Sequence, residues 1–221
     1  MTSDLLHIAR QCSLVAFFSF CSAVPASAAV IYSQAPAVGG ASYESSIVFG
    51  FHNADTFHLT TGATVDTLEW WGTQADDADG FNVRLFDSLD GNSAAVFECG
   101  YSFSACPTPV ASTGSGLLDD MGADIFKFSL TGLNISLAAG TNYVFSVAYE
   151  PEQWFWLTSD DGDGISYFRG DDADSWIDDS PDMAFSVVGT AVTPPNGVPE
   201  PSTLALLGLA VGALTARRAR K

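Results

Sequence analysis

Between residues 46 and 192 apolar and polar side chains alternate, and the alternation is interrupted by Gly, Asp, Asn and Pro. Period two marks strands that bury one face, and those interrupting residues are turn formers. The pattern predicts strands at 46–51, 55–62 and 64–72. In the last of these, Asp66, Leu68 and Trp70 fall on one face and Val65, Thr67, Glu69 and Trp71 on the other. The run 81–87 is cleaner: Phe81, Val83 and Leu85 alternate with Asn82 and Arg84, as in a half-buried strand. Further strands are expected at 94–99, 124–130, 133–137, 142–149, 153–158, 164–168 and 183–192. No stretch of this body has helical periodicity. Many short strands without helices predict an all-β, jelly-roll-like β-sandwich, with an open barrel as the alternative.

Both ends depart from this pattern. At the front, the apolar run 13–20 precedes Val24-Pro25-Ala26-Ser27-Ala28. Small residues at Ala26 and Ala28 suit a signal peptidase, so cleavage is expected between Ala28 and Ala29, and residues 1–28 read as a signal peptide. Cys21 follows the apolar run, but Phe20 stands where a lipoprotein signal needs a small residue. At the back, Pro199-Glu200-Pro201 is stiff and non-helical, because each proline fixes its own φ. Residues 203–216 carry no charge, with Thr203, Leu204, Leu206, Leu207, Leu209, Val211 and Leu214 giving an all-round apolar helix rather than a stripe. Arg217, Arg218, Arg220 and Lys221 close the chain, a basic end that stays on the cytoplasmic side. At about 1.5 Å per residue this helix reaches about 21 Å, short of a hydrocarbon core of about 30 Å. It suits a transient single-span anchor. The expected division is a signal peptide at 1–28, a sandwich at 29–189, a linker at 190–197 and a tail at 198–221.

Charge narrows the partners. Of 26 acidic residues only Asp4 and Glu200 lie outside 29–197, and of 8 basic residues only Arg84, Lys127 and Arg169 lie inside, so the body carries −21. Nucleic acid and anionic membrane surfaces would be repelled. Export also explains the cysteines. Cys12 and Cys21 leave with the signal, and Cys99 and Cys106 read as a local disulfide in an oxidising compartment.

Candidate chemistry in the body is sparse. Acidic clusters at 76–80, 159–164, 171–174 and 178–182 resemble calcium loops, because calcium takes several oxygen ligands on a flexible turn. None keeps EF-hand spacing, and Asp161 with Asp163 is the candidate pair. Trp70, Trp71, Trp154, Trp156 and Trp176 are candidate glycan contacts, with Trp154 and Trp156 on one strand face. His52 and His58 lack a recognisable nucleophile, and the glycine-flanked serine of 113–117 departs from a nucleophile elbow in what reads as a loop. The expectation is a non-catalytic protein with no cofactor. A calcium-stabilised binding module and a matrix glycoside hydrolase are the alternatives, the latter needing two neighbouring carboxylates in a cleft.

With these residues in view, the C-terminus resembles the sorting signal of PEP-CTERM proteins. Pro199, Glu200 and Pro201 match the tripeptide, residues 203–216 the membrane helix and Arg217 to Lys221 the basic end. The resemblance implies cleavage near the tripeptide by an exosortase of a Gram-negative bacterium. It also implies a transient stay in the inner membrane and delivery to the cell surface or exopolysaccharide matrix of a biofilm. The body more loosely resembles β-sandwich domains of such exported proteins.

Overall fold

The computed structural model describes residues 27–90 and 93–192. The N-terminal signal helix, Ala26, the linker beyond Val192 and the whole tail, with its sorting tripeptide, membrane helix and basic end, lie outside the described residues.

The body is an all-β sandwich of two antiparallel sheets. Its strands are β1 (Ala29–Gln34), β2 (Ser42–Glu44), β3 (His52–Leu59), β4 (Ala63–Thr73), β5 (Phe81–Phe86), β6 (Phe97–Gly100) and β7 (Ala111–Leu118). They continue as β8 (Asp124–Leu130), β9 (Ile135–Leu137), β10 (Thr141–Tyr149), β11 (Phe155–Leu157), β12 (Ser166–Arg169), β13 (Ile177–Asp179) and β14 (Phe185–Ala191). The larger sheet runs β1-β14-β4-β11-β2, with β8 and β9 on β4 and β7 on β8. The smaller runs β13-β12-β3-β10-β5-β6. β1 starts at Ala29, and Ser27 and Ala28 are exposed ahead of it. β14 runs two residues past the expected domain limit, and Val192 N donates to Gly62 O.

Aromatic rings fill the space between the sheets. Trp70 stacks on Phe128 at 5.9 Å, and Phe81 sets its edge against both Trp70 and Trp154. Such offset and edge-on pairs satisfy the ring quadrupoles while burying large areas. Phe145 meets Trp156 and Phe185 in the same way toward the other end of the core.

Three sequence expectations need correction. First, β4 is bulged: Val188 pairs with Thr67 but Gly189 pairs with Val65, which leaves Asp66 as the extra residue. A bulge reverses the alternation, so Val65, Leu68 and Trp70 all enter the core and Asp66 faces solvent. Second, β5 is buried on both faces. Asn82 donates to Glu150 Oε2 (2.8 Å), Arg84 to Asp172 Oδ1 (2.6 Å), and Phe86 lies against Trp176. Third, Ile47–Phe49 form a 3₁₀ turn instead of a strand, while Ala111–Leu118, expected as a loop, form an edge strand paired to β8. At Ala111–Leu118 pairing with β8 outweighed local preference.

Cys99 and Cys106 are joined, tying the buried end of β6 to the loop that follows it. Replacing both by alanine removes about 2–3 kcal/mol on loop-closure grounds. The thermal midpoint then falls by roughly 5–10 °C, and calorimetry of wild type and variant measures it. Equal midpoints would mean that the loop is already ordered without its crosslink.

Candidate functional site

The smaller sheet has an opening built by a strand that stops early. β12 pairs with β3 only from His52 to Asp55, so among the described residues Thr56 to Leu59 have no paired strand on that side. Tyr32 of β1 reaches this gap from the larger sheet, its ring 5.4 Å from Phe57. Asn142 and Val144 of β10 continue the floor, and Asp87, Ser88 and Leu89 after β5 form one wall. Gly162 and Asp163 with Tyr167 of β12 form the other. The cleft encloses about 620 Å³, within the usual range of small-molecule sites. His58 Nδ1 donates to Asn142 Oδ1 at 2.7 Å on its rim.

The 160–164 turn is held firmly. Asp182 accepts from Asp163 N (3.2 Å) and Gly164 N (2.8 Å), and Asp161 Oδ2 accepts from Ala35 N (3.1 Å). Gly162 sits at φ +118°, and a Cβ there would stand 2.5 Å from both Asp182 and Gln34. Only glycine meets both demands.

Behind the cleft wall lies a buried carboxyl. Asp55 Oδ2 accepts from Met183 N (2.6 Å) and Oδ1 from Thr56 N (2.5 Å). With its amide turned to satisfy its neighbours, Gln34 donates to Asp55 Oδ2 (3.1 Å) and accepts from the Tyr32 hydroxyl (3.2 Å). Burial pushes the Asp55 carboxyl up to about 8, against the two backbone hydrogen bonds and with the help of Asp182 and Asp163. Burial, then Asp55, Asp182 and Asp163, push the Tyr32 phenol up to about 12. Asp55 and Asp182 are thus neighbouring buried carboxyls, but both accept from backbone N–H groups and neither lines the cleft.

The tryptophans are not a sugar platform. Trp70, Trp154 and Trp156 are fully buried, which overturns their reading as glycan contacts. Trp154 and Trp156 do share one strand face, but that face is the core. Their indole N–H groups donate to Thr73 O and Ala184 O, both at 2.8 Å. Gly72 makes room for Trp154: a Cβ there would stand 2.2 Å from the indole. Trp71 lies on the outer face of the larger sheet beneath Lys127. Trp176 lies on the outer face of the smaller one, against Arg169 at 4.3 Å. The two are on opposite sides of the molecule and form no common surface.

Among the described residues, both arginines and the lysine are committed. Arg84 and Arg169 converge on Asp172 Oδ1 at 2.6 and 2.7 Å, with His52 Nδ1 at 3.4 Å. The His52 ring and then the two guanidinium groups hold Asp172 well below the usual carboxylate range. This cluster pins the 171–176 loop over the outer face of the smaller sheet. Lys127 pairs with Glu69 at 2.6 Å on the larger one.

Asp161 and Asp163 sit on one turn but serve as acceptors for backbone N–H groups, Asp161 Oδ2 taking Ala35 N and Asp163 Oδ1 taking Ile165 N, each at 3.1 Å. Among the described residues no three His, Cys, Asp or Glu side chains come together as metal ligands. Among them, too, no helix is long and apolar enough to cross a membrane. Sequence reasoning missed Tyr32, Asp87, Asn142 and Tyr167, because the cleft depends on where β12 stops pairing.

The fold and cleft define an acidic β-sandwich with an aromatic, carboxylate-rimmed opening. Residues 197–221 match the family model of the PEP-CTERM protein-sorting motif. No curated protein and no solved structure matches the chain. The chain therefore carries a PEP-CTERM sorting motif, which indicates export, processing by an exosortase and membrane-anchored sorting to the cell surface.

Proposed function

We propose that this is a non-catalytic surface or exopolysaccharide-matrix protein of a Gram-negative bacterium, whose jelly-roll-like sandwich has a glycan-binding or adhesive role once the tail is processed. The observation that carries the reading is the sorting motif at 197–221 joined to an all-β body. Strand order supports the jelly-roll winding. β1-β14-β4-β8 faces β12-β3-β10-β5, and in each run strands from the two halves of the chain alternate. The capping of Asp55 and Asp182 by backbone amides favours a binding role over hydrolysis, and the reading requires no cofactor.

Intact mass and cell fractionation test it in the native host. Wild type is expected outside the cell, starting at Ala29 and ending near Pro199-Glu200-Pro201. Glu200→Ala, or loss of the processing protease, is expected to leave the full tail in the membrane fraction. A full-length C-terminus in the membranes of every strain, wild type included, would defeat the exosortase assignment.

A further inference from the structure

The cleft beside β3 combines three features. Its walls offer the half-buried rings of Tyr32 and Tyr167. Its rim carries the exposed carboxylates of Asp87 and Asp163 on opposite sides. Asn142 supplies an exposed amide at the floor. Rings against which a sugar face packs, with carboxylate and amide groups for its hydroxyls, are the usual chemistry of a polar small-molecule site.

Charge decides which sugar. Lys127 lies on the other sheet with Glu69, and Arg84 and Arg169 are drawn to Asp172. Among the described residues no lysine or arginine lines the cleft, and the one group there that can turn cationic, His58, is bonded to Asn142 Oδ1 on the rim. Behind the wall Asp182 adds negative field, while Asp55 holds its proton below about pH 8 and adds none. An anionic saccharide is repelled by this arrangement, and a cationic one gains from both rims at once.

We propose that this cleft binds an amine-bearing saccharide, its ring packed between Tyr32 and Tyr167 and its ammonium groups held by Asp87 on one rim and Asp163 on the other. The assignment rests on the glycan-binding reading above and narrows it to a cationic sugar at a stated place.

Isothermal titration of the full chain in mild detergent tests it, with glucosamine oligomers as the probe in mildly acidic buffer, where their amines carry protons. N-acetylglucosamine oligomers and spermidine serve as comparators. Glucosamine oligomers are expected to bind roughly tenfold or more tightly than either comparator, and to weaken as salt rises. Asp87→Asn and Asp163→Asn each remove most of that preference, and Tyr167→Ala removes most of the binding, with unfolding midpoints near that of wild type. Asparagine at 163 keeps the acceptor for Ile165 N, so the turn survives the change.

Equal binding of the N-acetylated oligomers would overturn the amine assignment and leave glycan binding standing. Equal binding of spermidine would overturn the saccharide. Variants that bind as wild type would place the site elsewhere and overturn the cleft. Binding of no saccharide, with the tail still processed, would overturn both the cleft and the glycan-binding role while leaving the sorting reading intact.

Discussion

Trp154→Ala lowers the thermal midpoint by roughly 10–20 °C, whereas Trp71→Ala, on the outer face of the larger sheet, lowers it by only a few degrees. Trp154 is fully buried and sets its ring edge-on to Phe81 and Phe128. Truncation leaves a cavity beside Gly72, whose missing side chain exists to accommodate the indole. Large-to-small changes of this kind cost about 3–5 kcal/mol. The change also strips Thr73 O of its donor, which adds about 1 kcal/mol or more if the carbonyl stays dry. Trp71 is only partly buried and touches Lys127 across 5.4 Å, so its loss removes a surface contact. Calorimetry of the two variants decides the point. Similar shifts would mean that the core does not depend on Trp154.

The second large effect is a pH dependence. The Asp55 carboxyl is pushed up to about 8 in the folded protein, against an ordinary value of 3.8. Between those values the folded state holds a proton that the unfolded state releases. The contribution of Asp55 to stability is therefore highest below the unfolded value, falls as pH rises through the window, and carries the full penalty above about 8. The slope for one proton is about 1.4 kcal/mol per pH unit, or roughly 3–6 °C in midpoint. Free carboxylates titrate near 4, so a comparison above about pH 5.5 isolates a group displaced this far. Contributions common to wild type and variant cancel in the difference. Asp55→Asn lowers the midpoint at acid pH, because an amide cannot accept from both Met183 N and Thr56 N. It also flattens the slope. Midpoints measured from mildly acidic to mildly alkaline buffer, together with proton release on unfolding, show whether it does. Parallel slopes in the two proteins would remove Asp55 as the cause.

The two effects mark opposite limits of what a sequence reveals. Trp154 and Trp156 on one strand face were legible from their spacing about Phe155, but a face has no label. Whether it meets a ligand or Phe81 and Phe145 depends on the opposing sheet. Asp55 looked like any polar residue at the start of a strand. Only the crossing of Met183 and Gln34 over it makes it a buried group with a displaced titration.

Period-two patterning and turn residues determined by themselves that this body is all-β, and placed strands such as Asp124–Leu130 at their observed limits. Spacing and compartment determined the Cys99–Cys106 pair. The tripeptide, apolar run and basic end determined the sorting motif, because such a signal is read as a linear segment. Tertiary structure alone decided the bulge at Asp66, the burial of the outer face of Phe81–Phe86 and the early end of β12 that opens the cleft. Each depends on what a residue meets from a strand far away in sequence. Local alternation records that a side chain is turned to one face, and the packed sheets decide what that face touches.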